Sequence, residues 1–112
     1  MDFERQCEGY DIETMTGADL LSWANGLQVC RFEPSGDGIV CDGDGARIEL
    51  DLDRFASDSA PDGVRHVGVY TEDRRGGCSG CCSGFSDLRK AAEEIEQHAS
   101  KLGLMRMQLS LF

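Results

Sequence analysis

The sequence predicts an α+β fold: an antiparallel β-sheet of about five strands with two helices packed on it. Residues 47–53 alternate polar and apolar side chains, as in a strand with one buried and one solvated face. Residues 86–102 place apolar side chains on one stripe of a helix. Short turn-forming segments separate the central strands, which favours an antiparallel meander. We expect the 112 residues to form a single domain, 1–112.

The predicted order of elements is α-β-β-β-β-α-β. Residues 1–15 show no strong period and are interpreted as an arm or a short strand. Thr16 is the predicted N-cap of a first helix over about 17–25, and Gly26 is its predicted terminator. The next three strands are predicted at residues 27–33, 38–41 and 47–53. They are joined by a four-residue turn at 34–37 and by the Asp-Gly pairs of 42–45.

The second half of the chain predicts one more strand on each side of a long helix. The fourth strand is expected at residues 64–71. Residues 72–84 are so rich in glycine that they predict an irregular loop. Ser86 is the predicted cap of the second helix, which should end before Gly103. Alternating side chains at residues 104–112 predict a last strand.

Net charge narrows the classes of function. The chain has 21 Asp and Glu against 11 Lys and Arg, giving a net charge of −10. Direct binding of nucleic acid is not expected, because such proteins neutralise phosphates with a basic surface. No apolar run approaches the roughly 18 residues of a membrane span, and no leader pattern begins the sequence. We therefore expect a cytoplasmic protein without membrane contact. Halophilic adaptation is a competing explanation of the acidity.

Six cysteines are many for a reducing compartment, where clustered thiols indicate metal binding, redox chemistry or coincidence. With a four-residue hairpin loop, Cys30 would lie opposite Cys41, close enough for the thiols to touch. Cys78 and Cys81 form a C-x-x-C motif, a spacing found in zinc sites. Ordinary reduced thiols are the favoured interpretation. The alternatives are a structural zinc held by these four thiolates, a disulfide or redox role, and an iron–sulfur site.

Motifs of catalysis are not found in the sequence. There is no phosphate loop, dinucleotide fingerprint, nucleophile elbow or H-E-x-x-H pattern. Residues 42–45 fail as a calcium loop because the glycine comes too early. The two histidines, His66 and His98, are expected on solvated surfaces. The expectation is a protein that is not an enzyme and has no cofactor other than the structural zinc considered above.

Carboxylates concentrate on one predicted hairpin and form a stripe of negative potential: Asp42, Asp44, Glu49, Asp51 and Asp53. Each alone is typical of a solvated face. Together they would attract a basic partner and speed its association. Trp23 is a candidate aromatic anchor for such a partner, or else a core residue.

The favoured hypothesis is a non-enzymatic acidic protein that binds and blocks a basic, nucleic-acid-binding protein. Its carboxylates would stand in for phosphates, as in DNA mimics, phage anti-CRISPR proteins and toxin-immunity proteins. The alternative is a small zinc-binding or thiol-redox domain centred on the cysteines. A third hypothesis is a homo-oligomer, for example a homodimer, that pairs through an exposed strand at residues 104–112.

Overall fold

A computed structural model describes residues 3–43, 45–53, 65–74 and 78–105, apart from the side chains of residues 53 and 78–82. These parts of the chain form three helices and five strands. The helices are α1 (Glu4–Glu8), α2 (Gly17–Gly26) and α3 (Leu88–Leu102). The strands are β1 (Glu33–Ser35), β2 (Gly38–Asp42), β3 (Ala46–Asp53), β4 (His66–Asp73) and β5 (Cys78–Phe85).

The five strands form one antiparallel meander in the order β1-β2-β3-β4-β5. β3 is the central strand and pairs along its whole length with β4, with Leu50 opposite Val69. The predicted α+β class, the number of strands and their antiparallel pairing are confirmed.

Helices α2 and α3 contact the sheet, and the core lies between them and the strands. The centre of this core contains Trp23, Ile48, Val67 and Ile95, all 0 % exposed. Thr16 begins α2 with the predicted cap: its hydroxyl accepts from the Asp19 N–H, and the Asp19 carboxylate accepts from the Thr16 N–H.

Both ends of α3 are defined by its flanking residues. Gly103 ends the helix with a left-handed φ of 72°, which glycine adopts without a Cβ penalty. The N-cap is Asp87, whose carboxylate accepts from the Arg89 N–H at 2.9 Å. The predicted cap at Ser86 was therefore wrong by one residue.

The first fifteen residues contain a helix, α1, where an arm or strand was expected. Five residues are too few to show a helical period, so tertiary contacts decide this segment. Gln6 donates from its side-chain amide to the Trp23 carbonyl at 3.1 Å. A side chain at Gly26 would collide with that amide, so the glycine allows α1 to approach α2 closely.

The first predicted hairpin has a different turn and a shorter first strand. Ser35 pairs with Gly38, which leaves a two-residue turn at Gly36 and Asp37 instead of a four-residue loop. β1 begins only at Glu33, because the backbone hydrogen bonds of Phe32 are made to the Asn25 side chain and not to a neighbouring strand. The Asn25 amide accepts from the Phe32 N–H at 2.8 Å and donates to the Phe32 carbonyl at 3.1 Å.

The fifth strand comes before α3, where an irregular loop was predicted. Residues 78–85 pair with β4, with a register irregularity between Thr71 and Asp73. Pairing with the exposed edge of β4 satisfies the backbone of this glycine-rich segment and outweighs its low strand propensity. The predicted last strand at 104–112 falls mostly outside the described residues, and Leu104 and Met105 lie in no strand. No helix among the described ranges is long and apolar enough to span a membrane.

The two faces of β3 should differ sharply in their contribution to stability. Ile48→Ala removes a completely buried side chain and should lower the free energy of unfolding by about 2–5 kcal/mol. Glu49→Ala, one residue away on the other face, should cost below about 1 kcal/mol. Urea denaturation of both variants measures this difference. Equal losses would contradict the assignment of the two faces.

Candidate functional site

The face of the sheet opposite the helices carries polar side chains at two-residue intervals. On β3, Arg47, Glu49 and Asp51 alternate with the buried Ala46, Ile48 and Leu50. Pairing extends these positions across the sheet. Val40 on β2 and Tyr70 on β4 lie opposite Glu49, while Asp42 and Glu72 lie opposite Arg47. Directly opposite residues share a face, so neighbouring strands contribute to one surface.

We call this surface the acidic face and define it by five carboxylates: Glu33, Asp42, Glu49, Asp51 and Glu72. The side chain of Asp42 is 56 % exposed and that of Glu49 41 %. β3 carries two of the five, and β1, β2 and β4 carry one each.

Two arginines among the described residues partly neutralise the acidic face. Arg47 lies 3.6 Å from a Glu49 oxygen. Arg74 lies 3.7 Å from Asp42 and 4.0 Å from Glu72. Solvent-exposed pairs of this length contribute about 0–1 kcal/mol to stability, and they restrain the carboxylates only weakly. Within the described part of this face, the five carboxylates outnumber the two arginines.

Asp51 has a glycine beside it on each of the two neighbouring strands, Gly38 on β2 and Gly68 on β4. A Cβ added at Gly38 on β2 would meet the Leu50 backbone and the Asp51 Cβ, and Gly68 on β4 is the register partner of Asp51. A side chain at Gly68 would collide with the Asp51 carboxylate, and one at Gly38 with the Leu50 carbonyl. The carboxylate of Asp51, which is exposed, therefore lies in a shallow notch with glycine on each side.

The structure brings together three of the residues predicted to contact a partner: Asp42, Glu49 and Asp51. Asp44 lies outside the described residues, as does the side chain of Asp53, whose backbone ends β3. Trp23 is 0 % exposed, so it belongs to the core and its side chain is out of reach of a partner. Glu33 and Glu72 were missed, because they join the surface only through strand pairing.

A second concentration of carboxylates lines a cleft of about 650 Å³ beside α1, where Glu4, Glu8, Asp11, Glu13 and Asp87 lie. Arg65 closes one side by donating to the carbonyls of Ile12 and Glu13 at 3.1 and 3.2 Å. Asp11 caps its own turn, accepting from the Glu13 N–H at 3.0 Å. Several of these groups thus have structural partners within the cleft.

The two histidines differ from each other in environment. His98 is partly buried and lies 2.8 Å from the Glu94 carboxylate, one helical turn away. His66 is only 3 % exposed, so the expectation of a solvated side chain was wrong for it.

Cys30 and Cys41 are neighbouring thiols. Hydrogen-bonding interactions with the Cys30 side chain and with the Arg31 backbone act on Cys41 Sγ. The predicted four-residue turn was wrong, and so was the predicted strand pairing of Cys30 opposite Cys41, because Cys30 lies before β1. The Asn25 side chain of α2 instead bonds both backbone groups of Phe32 in this segment.

Hydrogen bonding separates the acidities of the two thiols. The bond from Cys30 holds the pKa of Cys41 below its usual value, against the opposing effects of burial and the Asp42 charge. The same bond, together with burial, raises the pKa of Cys30. The directions of the two pKa shifts make Cys41 the more acidic thiol of the pair.

Cys7 is a third described thiol, partly buried and located on α1. The Trp23 indole N–H lies near it without a conventional hydrogen bond among the described residues. Burial raises the pKa of Cys7 more than the indole lowers it.

The zinc hypothesis for Cys30, Cys41, Cys78 and Cys81 stays a prediction. The side chains of Cys78 and Cys81 lie outside the described residues, although their backbone belongs to β5 opposite Asp73 and Thr71. An extended strand spaces residues i and i+3 about 10 Å apart, unlike the loop expected for this motif. Within the described part of the chain, no three His, Cys, Asp or Glu side chains cluster as a metal site.

Comparisons with protein-family models, with curated proteins and with solved structures found no match for this chain.

The ratio of Cys41 to Cys7 labelling by iodoacetamide should fall as pH rises from neutral. Cys41, with its lowered pKa, approaches full ionisation at a lower pH than Cys7 does, so its labelling levels off first. Cys7, with its raised pKa, gains thiolate about tenfold per pH unit. Peptide mass spectrometry after brief labelling at several pH values measures both sites in one sample. A ratio that stays constant or rises would contradict the assigned pKa directions.

If zinc binds the four cysteines, protein purified without chelator should carry one equivalent of metal by native mass spectrometry. Cys81→Ser should release it, while Cys7→Ser should retain it, because Cys7 is outside the proposed ligand set. A wild-type chain that binds no zinc on titration would eliminate the hypothesis.

Proposed function

We propose that this protein is a non-enzymatic inhibitor that binds a basic protein through its acidic face. The partner is a protein whose basic groove ordinarily holds nucleic acid. The observation that carries the proposal is the gathering of five carboxylates from four adjacent strands on the side of the sheet opposite α2 and α3.

The spacing of these groups suits a surface that normally contacts phosphates. Residues i and i+2 of one strand lie about 6.6 Å apart, and neighbouring strands about 4.8 Å apart. Glu49 and Asp51 follow the first spacing, and Asp42 and Glu72 extend the row on both sides of β3. Such a two-dimensional array of anions can meet several arginines or lysines of a basic groove at once.

Asp51 is the best-placed contact for a partner arginine. Glycine inside a strand often marks a close approach of another molecule, and Gly38 and Gly68 flank this carboxylate. A planar guanidinium can form two parallel hydrogen bonds with this carboxylate. Tyr70, in the neighbouring row on β4, offers an aromatic face for a cation.

Removing charge from the acidic face without changing its shape should abolish tight binding. The triple variant Asp42→Asn, Glu49→Gln, Asp51→Asn should weaken the partner complex by about 100-fold, since each lost ion pair costs roughly 1 kcal/mol or more. Wild-type and variant proteins would be immobilised and exposed to a nuclease-treated cell extract. The captured basic protein would then be purified and titrated, with DNA as competitor and at rising NaCl.

The matched control is Glu8→Gln, Glu93→Gln, Glu96→Gln, which changes net charge equally on the helices. It should bind as wild type does. If both triple variants lose affinity to the same extent, the partner responds to net charge, and the assigned face is wrong. If DNA does not compete with the complex, the blocking of a nucleic-acid groove is wrong.

A further inference from the structure

The two outer strands of the sheet, β1 and β5, differ in how well their edges are protected against pairing with another chain. Within the described sheet, β1 pairs only with β2 and β5 only with β4. The outer edge of such a strand has backbone N–H and C=O groups to which a further strand can bind. Natural proteins protect these edges with a short strand, proline, charged side chains or a β-bulge.

β1 has three of these protective features. It is only 3 residues long, and it begins with the charged Glu33. Its central residue is Pro34, which has no backbone N–H to donate. A further strand would therefore gain few hydrogen bonds at this edge of the sheet.

β5 has only a local irregularity. It is 8 residues long, and its sequence, CSGCCSGF, contains no proline and no charged residue. Each of the other described strands contains at least one Asp or Glu. The register irregularity between Thr71 and Asp73 affects only the first part of the pairing with β4. Residues 81–85 then form consecutive regular pairs with residues 67–71, over a length that is common for strands.

The absence of charge on β5 favours a second copy of this chain as its partner. Copies with a net charge of −10 repel each other, so they associate most easily where carboxylates are distant. β4 separates β5 from the carboxylates of β3 by two strand spacings, about 10 Å, which is close to the screening length at 0.1 M salt. The acidic residues of β4, Glu72 and Asp73, lie at the irregular end of the pairing, away from residues 81–85.

We propose that two copies of this chain form a homodimer by antiparallel pairing of residues 81–85 of β5 with the same residues of the second copy. A two-fold axis gives each copy the same donors and acceptors, and this is the commonest symmetry of protein dimers. The two five-stranded sheets become one continuous sheet. Both acidic faces then lie on the same side, because the two-fold axis between antiparallel strands is perpendicular to the sheet.

Sedimentation equilibrium of the intact protein in reducing buffer measures the association, over a concentration range of about 1–200 µM. We expect a species with twice the chain mass of 12.2 kDa. The dimer fraction should rise between about 50 and 500 mM NaCl, because salt screens the repulsion between the copies. A complex of the acidic face with a basic partner should instead weaken with salt, so the two proposals can fail separately.

Hydrogen exchange identifies the residues that form the interface. Backbone amides of residues 81–85 that face the second copy should exchange about tenfold more slowly at the highest protein concentration than at the lowest. The amides of β1 should exchange at the same rate at both concentrations. This measurement needs no substitution, so it tests the proposal even if an edge variant fails to fold.

A carboxylate introduced at the edge should separate the two copies. Cys82 is the register partner of Tyr70, in the regular part of the pairing. Cys82→Glu should weaken the dimer about tenfold or more, because like charges on adjacent strands repel each other. Cys82→Ser should dimerise as wild type does. Gln97→Glu adds the same charge at an exposed position of α3 and should also leave the dimer intact.

Three results would overturn the proposal. The first is a folded wild-type protein that stays monomeric at the highest protein and salt concentrations. The second is a dimer whose concentration-dependent protection lies entirely outside β5. The third is an equal loss of association in folded Cys82→Glu and Gln97→Glu, because the dimer would then respond to net charge and not to this edge. Circular dichroism verifies that each variant is folded.

Discussion

The alternation of side chains on β3 is the constraint on which the rest of the structure depends. Ile48 and Leu50 face the helices and are almost completely buried, while Glu49 and Asp51 lie on the opposite face. A shift of register by one residue would place carboxylates in the core, where an unpaired charge is severely unfavourable. The same alternation therefore secures the pairing with β2 and β4 and keeps the acidic face on one side of the sheet.

Local sequence patterns predicted those elements whose side chains carry their own periodicity. The strand around Ile48, the long helix α3 and the capped start of α2 at Thr16 are of this kind. The remaining elements depend on distant contacts. The helix α1 depends on Gln6 reaching the Trp23 carbonyl, and β5 on an edge of β4 that no window of local sequence reveals. A five-residue helix and a glycine-rich strand show no periodicity of hydrophobic side chains in the sequence.

The candidate site residues also differ in how far the sequence predicts them, because some follow from a local pattern and others from contacts between distant segments. Asp42, Glu49 and Asp51 follow from one hairpin pattern, whereas Glu33 and Glu72 join them only through the order of strands. For the thiols, the predicted turn was wrong, so Cys30 lies before β1 and not opposite Cys41 in a strand pair. The Asn25 side chain bonds both backbone groups of Phe32 in that segment, and an isolated asparagine in a helix gives no sign of such a role.

The acidic face and the thiol pair share strand β2, where Cys41 faces inward and Asp42 faces solvent. The negative charge of Asp42 opposes ionisation of the neighbouring thiol, and the Cys30 and Arg31 hydrogen bonds outweigh it. Arg74 also contacts Asp42 and reduces its negative field. The inner and outer faces of the sheet are therefore coupled electrostatically at β2, where the charge of Asp42 on one face acts on the pKa of Cys41 on the other.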